Sequence, residues 1–304
     1  LLTAEKHNPS GYGRIVSNEE GSIESIVEHS DATSNQLKIT EVNTGVMAMN
    51  SSQLKNWVPQ IKNSNKKNEY YLTDIIEIAR LNGCLIKRIQ PNSNMEVEGI
   101  NNREQLSRLE RSYQKYLANE FMSAGNSLAD SDRFDQRGEL KTGFDNYIDV
   151  NCIFEGEVQL GNNILIGPNC HIINSIIDDY VVIKANSIVD SSRIKSGATV
   201  GPFARLRPGT LIGEGSSVGN FVEIKKTTVG HGSKVNHLTY LGDSTIGSCA
   251  NIGAGAITCN YDGNEKHETT IGENVFVGSN TTLVAPIALS DNSFVAAGST
   301  VTTS

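Results

Sequence analysis

The chain has 304 residues, a length that suggests two domains, and a formal net charge of −8 that argues against a general nucleic-acid or anionic-membrane surface. Its five cysteines (Cys84, Cys152, Cys170, Cys249 and Cys259) are odd in number and lack C-x-x-C spacing, which suits buried thiols in a reducing cytosol better than a disulfide framework or a zinc site. No run of about 18 apolar residues is present, so no transmembrane span is expected; with the charge and the cysteines, the expectation is a cytoplasmic protein without membrane or nucleic-acid partners.

In the first hundred residues, the apolar runs Ser25-Ile26-Val27 and Gly45-Val46-Met47-Ala48-Met49 predict strands. Thr73-Asp74 predicts the cap of a helix through Ile75, Ile76, Ile78, Ala79 and Leu81, stopped by Asn82-Gly83. A further strand is expected over Cys84-Leu85-Ile86-Lys87-Arg88-Ile89. Alternating strand and helix suggests an α/β layer. The segment is short for such a sheet and holds no Gly-rich phosphate loop, so it reads as part of a domain. From Asn102 onward a charged helix is expected, with an apolar stripe at Leu106, Leu109, Tyr113, Leu117 and Phe121, ending near Ala124-Gly125. That stripe should pack on a neighbouring surface and join the two domains.

From Ile148 onward the chain repeats every six residues. Aliphatic or aromatic residues fall at Ile148, Phe154, Leu160, Ile166 and Ile172, then at Ile177, Ile183 and Val189. They continue at Ile194, Val200, Leu206, Ile212, Val218 and Ile224, then at Val229, Val235 and Leu241, then at Ile246 and Ile252. Ile271, Val277, Leu283, Leu289, Val295 and Val301 close the run. A helix repeats about every 3.6 residues and a single strand every 2, so neither accounts for this spacing. A hexapeptide parallel β-helix does: three short strands make one triangular coil, and the aliphatic residues fill its axis. The register slips by one residue between Ile172 and Ile177, Val189 and Ile194, Ile224 and Val229, and Leu241 and Ile246. Between Thr258 and Ile271 it breaks, and no aliphatic residue occurs from Cys259 to Thr270. Such a stretch cannot be buried and should leave the prism as a polar loop, either functional or a tolerated surface excursion.

In such a coil, residues about 18 apart stack at roughly 4.8 Å. Arg207 and Lys225 each follow a core position, one coil apart, and two stacked cations repel unless an anion lies between them. They predict a phosphate site, with two solvated surface cations as the alternative. The column continues through Tyr240-Leu241 to Thr258, and His237 and Asn251 are expected one above the other on the adjoining face. Cations, imidazole, Tyr240, Asn251 and the loop should then converge at one corner. His237 can serve as a general base toward an amine or hydroxyl, or as a structural histidine bonded between coils. A metal held by His231 and His237 of one chain fails, because residues six apart lie on different faces; a metal shared across subunits is the alternative that stays open.

The runs G-P-F-A-R-L-R-P-G (Gly201 to Gly209), G-N-F-V-E-I-K-K (Gly219 to Lys226), H-L-T-Y-L-G-D (His237 to Asp243) and N-I-G-A-G-A-I-T-C-N-Y-D-G (Asn251 to Gly263) resemble one family. So do S-G-Y-G-R-I (Ser10 to Ile15), I-V-E-H (Ile26 to His29), E-V-N-T-G (Glu41 to Gly45), V-E-G-I-N-N-R (Val97 to Arg103) and the linker run Q-L-S-R-L-E-R. It is the bifunctional bacterial N-acetylglucosamine-1-phosphate uridyltransferase / glucosamine-1-phosphate acetyltransferase family. The resemblance implies a partial Rossmann-like nucleotidyltransferase domain over 1–103, a linker helix over 104–124 and a left-handed parallel β-helix over 125–304. It implies acetyl transfer from acetyl-CoA to the amine of glucosamine 1-phosphate, then magnesium-dependent joining of the product to UTP. The product feeds peptidoglycan and lipopolysaccharide synthesis, and the family is a homotrimer.

Position by position, the resemblance makes His237 the base of acetyl transfer. Arg207, Lys225, Tyr240, Asn251 and Lys266 become sugar-phosphate contacts, and Ala254, Asn260, Tyr261, Ser279 and Ala297 contacts to acetyl-CoA. Gly13, Glu28 and Asn43 match contacts to the nucleotide sugar, and Asn101 matches both such a contact and a magnesium ligand. The family's Gly-rich nucleotide loop and metal-binding Asp would precede Leu1, and its last coil would follow Ser304, so a fragment is expected. Three other readings stay open: another hexapeptide enzyme, such as a serine acetyltransferase or trimeric carbonic anhydrase; a pyrophosphorylase whose β-helix only oligomerises; and a purely structural solenoid.

Overall fold

The computed structural model describes residues 1–100 and 102–302, and the chain divides into two compact units, Leu1–Ser112 and Tyr113–Ser304. In the first unit, strands β1 (Thr3–Glu5), β2 (Arg14–Ser17), β3 (Ile23–Val27) and β4 (Glu41–Asn43) form a sheet in the order β1-β4-β2-β3. Every pairing in it is antiparallel. Helices α1 (Ser51–Trp57) and α2 (Ile75–Leu81) contribute Trp57, Ile75, Ile76 and Ala79 to a core shared with Ile15, Ile23 and Ile26.

Among the described residues two expected strands do not form, and the sheet on which the helices pack is antiparallel. After β4 the side chains of Asn43 and Thr44 take over the local hydrogen bonding: Gly45 N–H donates to Asn43 Oδ1, and Thr44 Oγ1 donates to the Leu2 carbonyl. Side-chain bonds of this kind compete with a ladder, and Gly45 at φ 85° turns the chain out of the extended region. The segment Cys84–Ile89 leaves Leu85 and Ile89 exposed, and its backbone meets the sheet in one isolated Leu2–Ile89 bridge, while the Arg88 side chain pairs with Glu41 and donates to Ser17 Oγ. Helix α2 forms as expected and ends at Asn82 with Gly83 at φ 76°. Its cap differs: Asp74 makes no capping bond, and Thr73 Oγ1 instead donates to Glu28 Oε1 at 2.9 Å.

Helix α3 (Arg103–Ser123) carries only part of the expected stripe inward. Ala118, Phe121 and Leu117 join the solenoid core, whereas Leu106 and Tyr113 stay exposed. Gln114, a polar residue outside the stripe, is buried, because its amide clamps the first coil. Its Nε2 donates to the Gln136 carbonyl and its Oε1 accepts from Gln136 N–H, both at 2.8 Å.

The second unit is a parallel β-helix. Among the described residues a ten-stranded sheet runs from Ser127–Leu128 to Phe294–Val295 along one face, and a fifteen-stranded sheet covers the other two. The hexad residues from Ile148 to Leu283 are buried on the axis, while Leu289, Val295 and Val301 in the last coil are only partly covered. Burial along one axis, coil on coil, is what a period of six specifies.

Each one-residue slip has a physical cause. At these corners a buried hydroxyl closes the turn by donating two residues back: Ser175 to Ile173 O, Ser192 to Asp190 O, Thr227 to Lys225 O and Ser244 to Gly242 O, at 2.6–2.9 Å. The same oxygens accept N–H groups from the next coil, Ser192 N at 3.1 Å and Ser244 N at 3.3 Å. Where the step keeps six residues, the extra one is Gly209 at φ 83°, and Thr210 bonds three residues back to Arg207 O.

Another corner carries a column in the left-handed region: Asn151, Asn169 and Asn186, then Phe203, Phe221 and Leu238. The three asparagines form a ladder of amide bonds at 3.0 and 3.2 Å. Above it, Phe203 and Phe221 stack at 5.2 Å, although large apolar side chains are strained at positive φ. Local strain of this sort gathers around functional sites, and here it borders His237.

Candidate active site

The stacking of cations follows the expected register. Leu206 pairs with Ile224, so Arg207 lies one coil below Lys225, whose partner in the next coil is Gly242. Arg207 Nη1 donates to Glu223 Oε1 at 2.8 Å. The polar stretch leaves the prism after Ile257–Cys259 and rejoins it at Thr269–Ile271, as the break in the hexad requires. It folds back on itself through a Tyr261–Lys266 bridge, and Tyr261 stays exposed with its hydroxyl donating to Gly263 O. The turn closes around Asp262, which accepts from Asn264 N, Glu265 N and the His267 ring at 2.7–2.8 Å. Those bonds, the Glu265 amide first, hold the Asp262 carboxyl far below the usual carboxylate range.

The fold-back brings Lys266 against Lys225. The Lys266 ammonium, and beyond it Arg207, hold Lys225 below the ordinary lysine value, with Asp243 opposing. Three cations and two carboxylates, Glu223 and Asp243, therefore meet on one surface. Tyr240 stacks directly over Glu223. Its hydroxyl reaches back over Gly242, where an added Cβ would lie 2.5 Å from it and 2.8 Å from Asn260 Nδ2. Only glycine fits between them. Asn260, nearly fully buried, donates through Nδ2 to Asp243 Oδ2.

Around the adjoining corner, His237 is exposed and lies directly above Asn220. Its Nδ1 stands 3.0 Å from Asn220 Oδ1. The core residues Val235, Ile252, Val277 and Val295 stack in register. The residues two further on, His237, Ala254, Ser279 and Ala297, thus form one column along the corner. Asn251 is not in it. It pairs with Lys234 below and Phe276 above, one position before the core residue, whereas His237 is two positions after. The expectation that Asn251 stacks on His237 is therefore corrected. Both remain on the face that contains the Gly253–Gly278 contact, where a Cβ on Gly253 would meet the next coil's backbone at 2.6 Å.

In the first unit Gly13, Glu28 and Asn43 come together. Asn43 N–H donates to the Gly13 carbonyl at 2.8 Å, and a Cβ on Gly13 would lie 3.5 Å from the Glu28 carboxylate and 3.0 Å from Ile26. Asn101 lies outside the described residues. Among the described residues no three His, Cys, Asp or Glu side chains converge to hold a metal ion, so this set does not by itself make a magnesium site. No helix among them is long and apolar enough to cross a membrane.

Asn220, Glu223, Gly242 and Asp243 are site residues that sequence reasoning missed. The signal for Asn220 and Asp243 was available: each lies seventeen residues before its partner, one coil once the slip is counted.

The hexapeptide-repeat family of succinyl-transferases matches residues 268–303. The bifunctional protein GlmU of Marinobacter nauticus is 53% identical over 302 residues, covering 99% of this chain and 66% of that protein. Its counterpart from Pseudoalteromonas atlantica is 51% identical over the same spans. A solved structure, the UDP-N-acetylglucosamine acyltransferase of Francisella novicida, matches at 18% identity and a TM-score of 0.26 over 49% of this chain and 54% of its own, too remote to carry argument. The chain spans about two thirds of the length of the curated relatives it matches. With half of the positions identical over 99% of its length, the chain belongs to the bifunctional GlmU family.

Proposed function

We propose that the β-helix unit transfers the acetyl group of acetyl-CoA to the amine of glucosamine 1-phosphate, and that residues 1–103 belong to a uridyltransferase half. The single observation that carries the first part is the meeting of Arg207, Lys225 and Lys266 on one exposed surface. Like charges gathered at this spacing are stable with an anion among them, and Arg207 offers a forked donor where the lysines offer point charges. The sugar phosphate is that anion, and Tyr240 and Asn251 flank it. The amine is then presented toward the corner that holds His237.

His237 takes the proton as the amine nitrogen attacks the thioester carbonyl carbon. The C–N bond forms, the C–S bond breaks, and the departing thiolate takes up the proton from the imidazolium. Ala254, Ser279 and Ala297 form a low-profile column along which the pantetheine arm can run, with Asn260 and Tyr261 at the loop. Gly13, Glu28 and Asn43 are assigned to the sugar of a nucleotide product. Magnesium, with Asn101 as a ligand, would supply charge neutralisation for uridyl transfer; the described residues hold no complete site for it, and no step is derived through it. Assembly as a homotrimer in the cytoplasm completes the reading, a three-sided prism being suited to threefold packing.

A pyrophosphorylase whose β-helix only oligomerises has no use for the cation cluster. Release of free thiol from acetyl-CoA, with glucosamine 1-phosphate as sole acceptor, separates the two. Thiol release that requires the acceptor supports the proposal, and none under any acceptor concentration removes it.

A further inference from the structure

We infer that Asn220 is the positioning residue of His237, holding its imidazole as the Nδ1–H tautomer so that the Nε2 lone pair faces the acceptor amine. This rests on the reading of His237 as the base. The register puts Asn220 one coil directly beneath His237, and Oδ1 stands 3.0 Å from Nδ1. An oxygen that can only accept selects the tautomer in which the facing nitrogen carries hydrogen. Nε2 is then the free base.

The surrounding backbone keeps both residues in place. A Cβ on Gly219 would lie 2.0 Å from Asn236 O, so glycine is needed there for the two strands to close with Asn220 under His237. Leu238 N–H donates to the Asn220 carbonyl at 3.0 Å, and Thr239 Oγ1 donates to the His237 carbonyl at 2.7 Å. Phe221 and Leu238, the residues immediately after Asn220 and His237, both hold positive φ, 56° and 49°. The same strained corner thus aims the amide and the ring in parallel.

An amide serves here in a way a carboxylate would not. It fixes the tautomer without placing negative charge beside the ring, and so does not favour the protonated imidazole that cannot act as base. The stacking neighbours of His237, Asn220 below and Ala254 above, are uncharged, and the nearest ionisable residues along its chain are Lys234 and Tyr240.

Three measurements test this on the whole chain. Nitrogen-15 NMR of His237 in the wild type should show Nδ1 protonated and Nε2 bare, and Asn220→Ala should lose that preference. Asn220→Ala should lower kcat by roughly 10- to 100-fold, the usual effect of losing a group that orients a functional histidine, with KM for both substrates changed less than twofold. Asn220→Asp keeps size and acceptor but adds charge. It should move the acidic limb of kcat/KM upward by about one to two pH units. The substrate's own ammonium titrates identically in both enzymes, so that difference belongs to the imidazole. A wild-type spectrum with Nε2 protonated, or an Asn220→Asp profile superimposed on the wild type, overturns the inference. Full turnover in His237→Ala would overturn the parent reading instead, and the spectrum would still decide the tautomer.

Discussion

His237→Ala should lower acetyl transfer by roughly 10²- to 10⁴-fold, the range for a positioned general base, with little change in sugar-phosphate binding. Turnover near wild type at neutral pH would remove the assignment. Arg207→Ala and Lys225→Ala should weaken glucosamine 1-phosphate by about 1.5–3 kcal/mol each and leave acetyl-CoA affinity nearly intact. Calorimetry with each ligand checks the division. The cluster also sets a pH dependence. Lys225 is held low by Lys266 and then Arg207, so its charged form is lost as pH rises through a value below the ordinary lysine range. Acceptor affinity should decline with rising pH earlier than an isolated lysine would allow. At this scale the stacked cations were legible because no slip separates Arg207 from Lys225, so counting eighteen residues suffices. Asn251 was misplaced because a residue before a core position and one two places after it sit on different columns.

Corners and loops decide whether those columns align. Thr227→Val removes a hydroxyl that donates to Lys225 O and accepts from Ser244 N, two hydrogen bonds that valine cannot make. A loss of about 1–3 kcal/mol is expected, read as a lower urea midpoint, and Thr227→Ser should recover most of it. Because the bond is made to the carbonyl of Lys225 itself, the valine variant should also weaken the acceptor. The loop turn has its own ion. Asp262 is depressed, so the order it contributes is complete above the usual aspartate value and is lost as pH falls through its folded value. Near pH 4, where an ordinary aspartate is half protonated, its carboxyl should still titrate as ionised by carbon-13 NMR. Hexad and loop were legible because axial burial and a missing aliphatic run leave direct marks on the sequence. The short sheet of the first unit was legible only in part: the expected strand Ser25–Val27 lies within β3. The run Gly45 to Met49 has strand composition, yet bonds from Asn43 and Thr44 divert the chain, and propensity alone does not register that competition.

The two units have separate apolar cores. One joins Ile15, Ile23, Ile26, Trp57, Ile75, Ile76 and Ala79; the other runs from Ala118 and Phe121 along the axis to Leu283 and Ile287, and they share no residue. A solenoid's stability is nearly a sum of coil contributions and nearest-neighbour interfaces. The solenoid's lower end is closed by the second half of α3, through Phe121 against Phe134 at 5.5 Å and the paired bonds of Gln114. What the coils need is therefore this helix as a cap, and not the sheet that precedes it. A chain of residues 103–304 should fold with the β-sheet circular dichroism of the whole and a thermal midpoint within a few degrees of its solenoid transition. Gln114→Ala in that shorter chain should lower the midpoint, because the Gln136 amide and carbonyl then lose their partners. If residues 103–304 are unfolded in isolation, or if Gln114→Ala leaves the midpoint unchanged, the coils draw their stability from the first unit and the helix is only a connector.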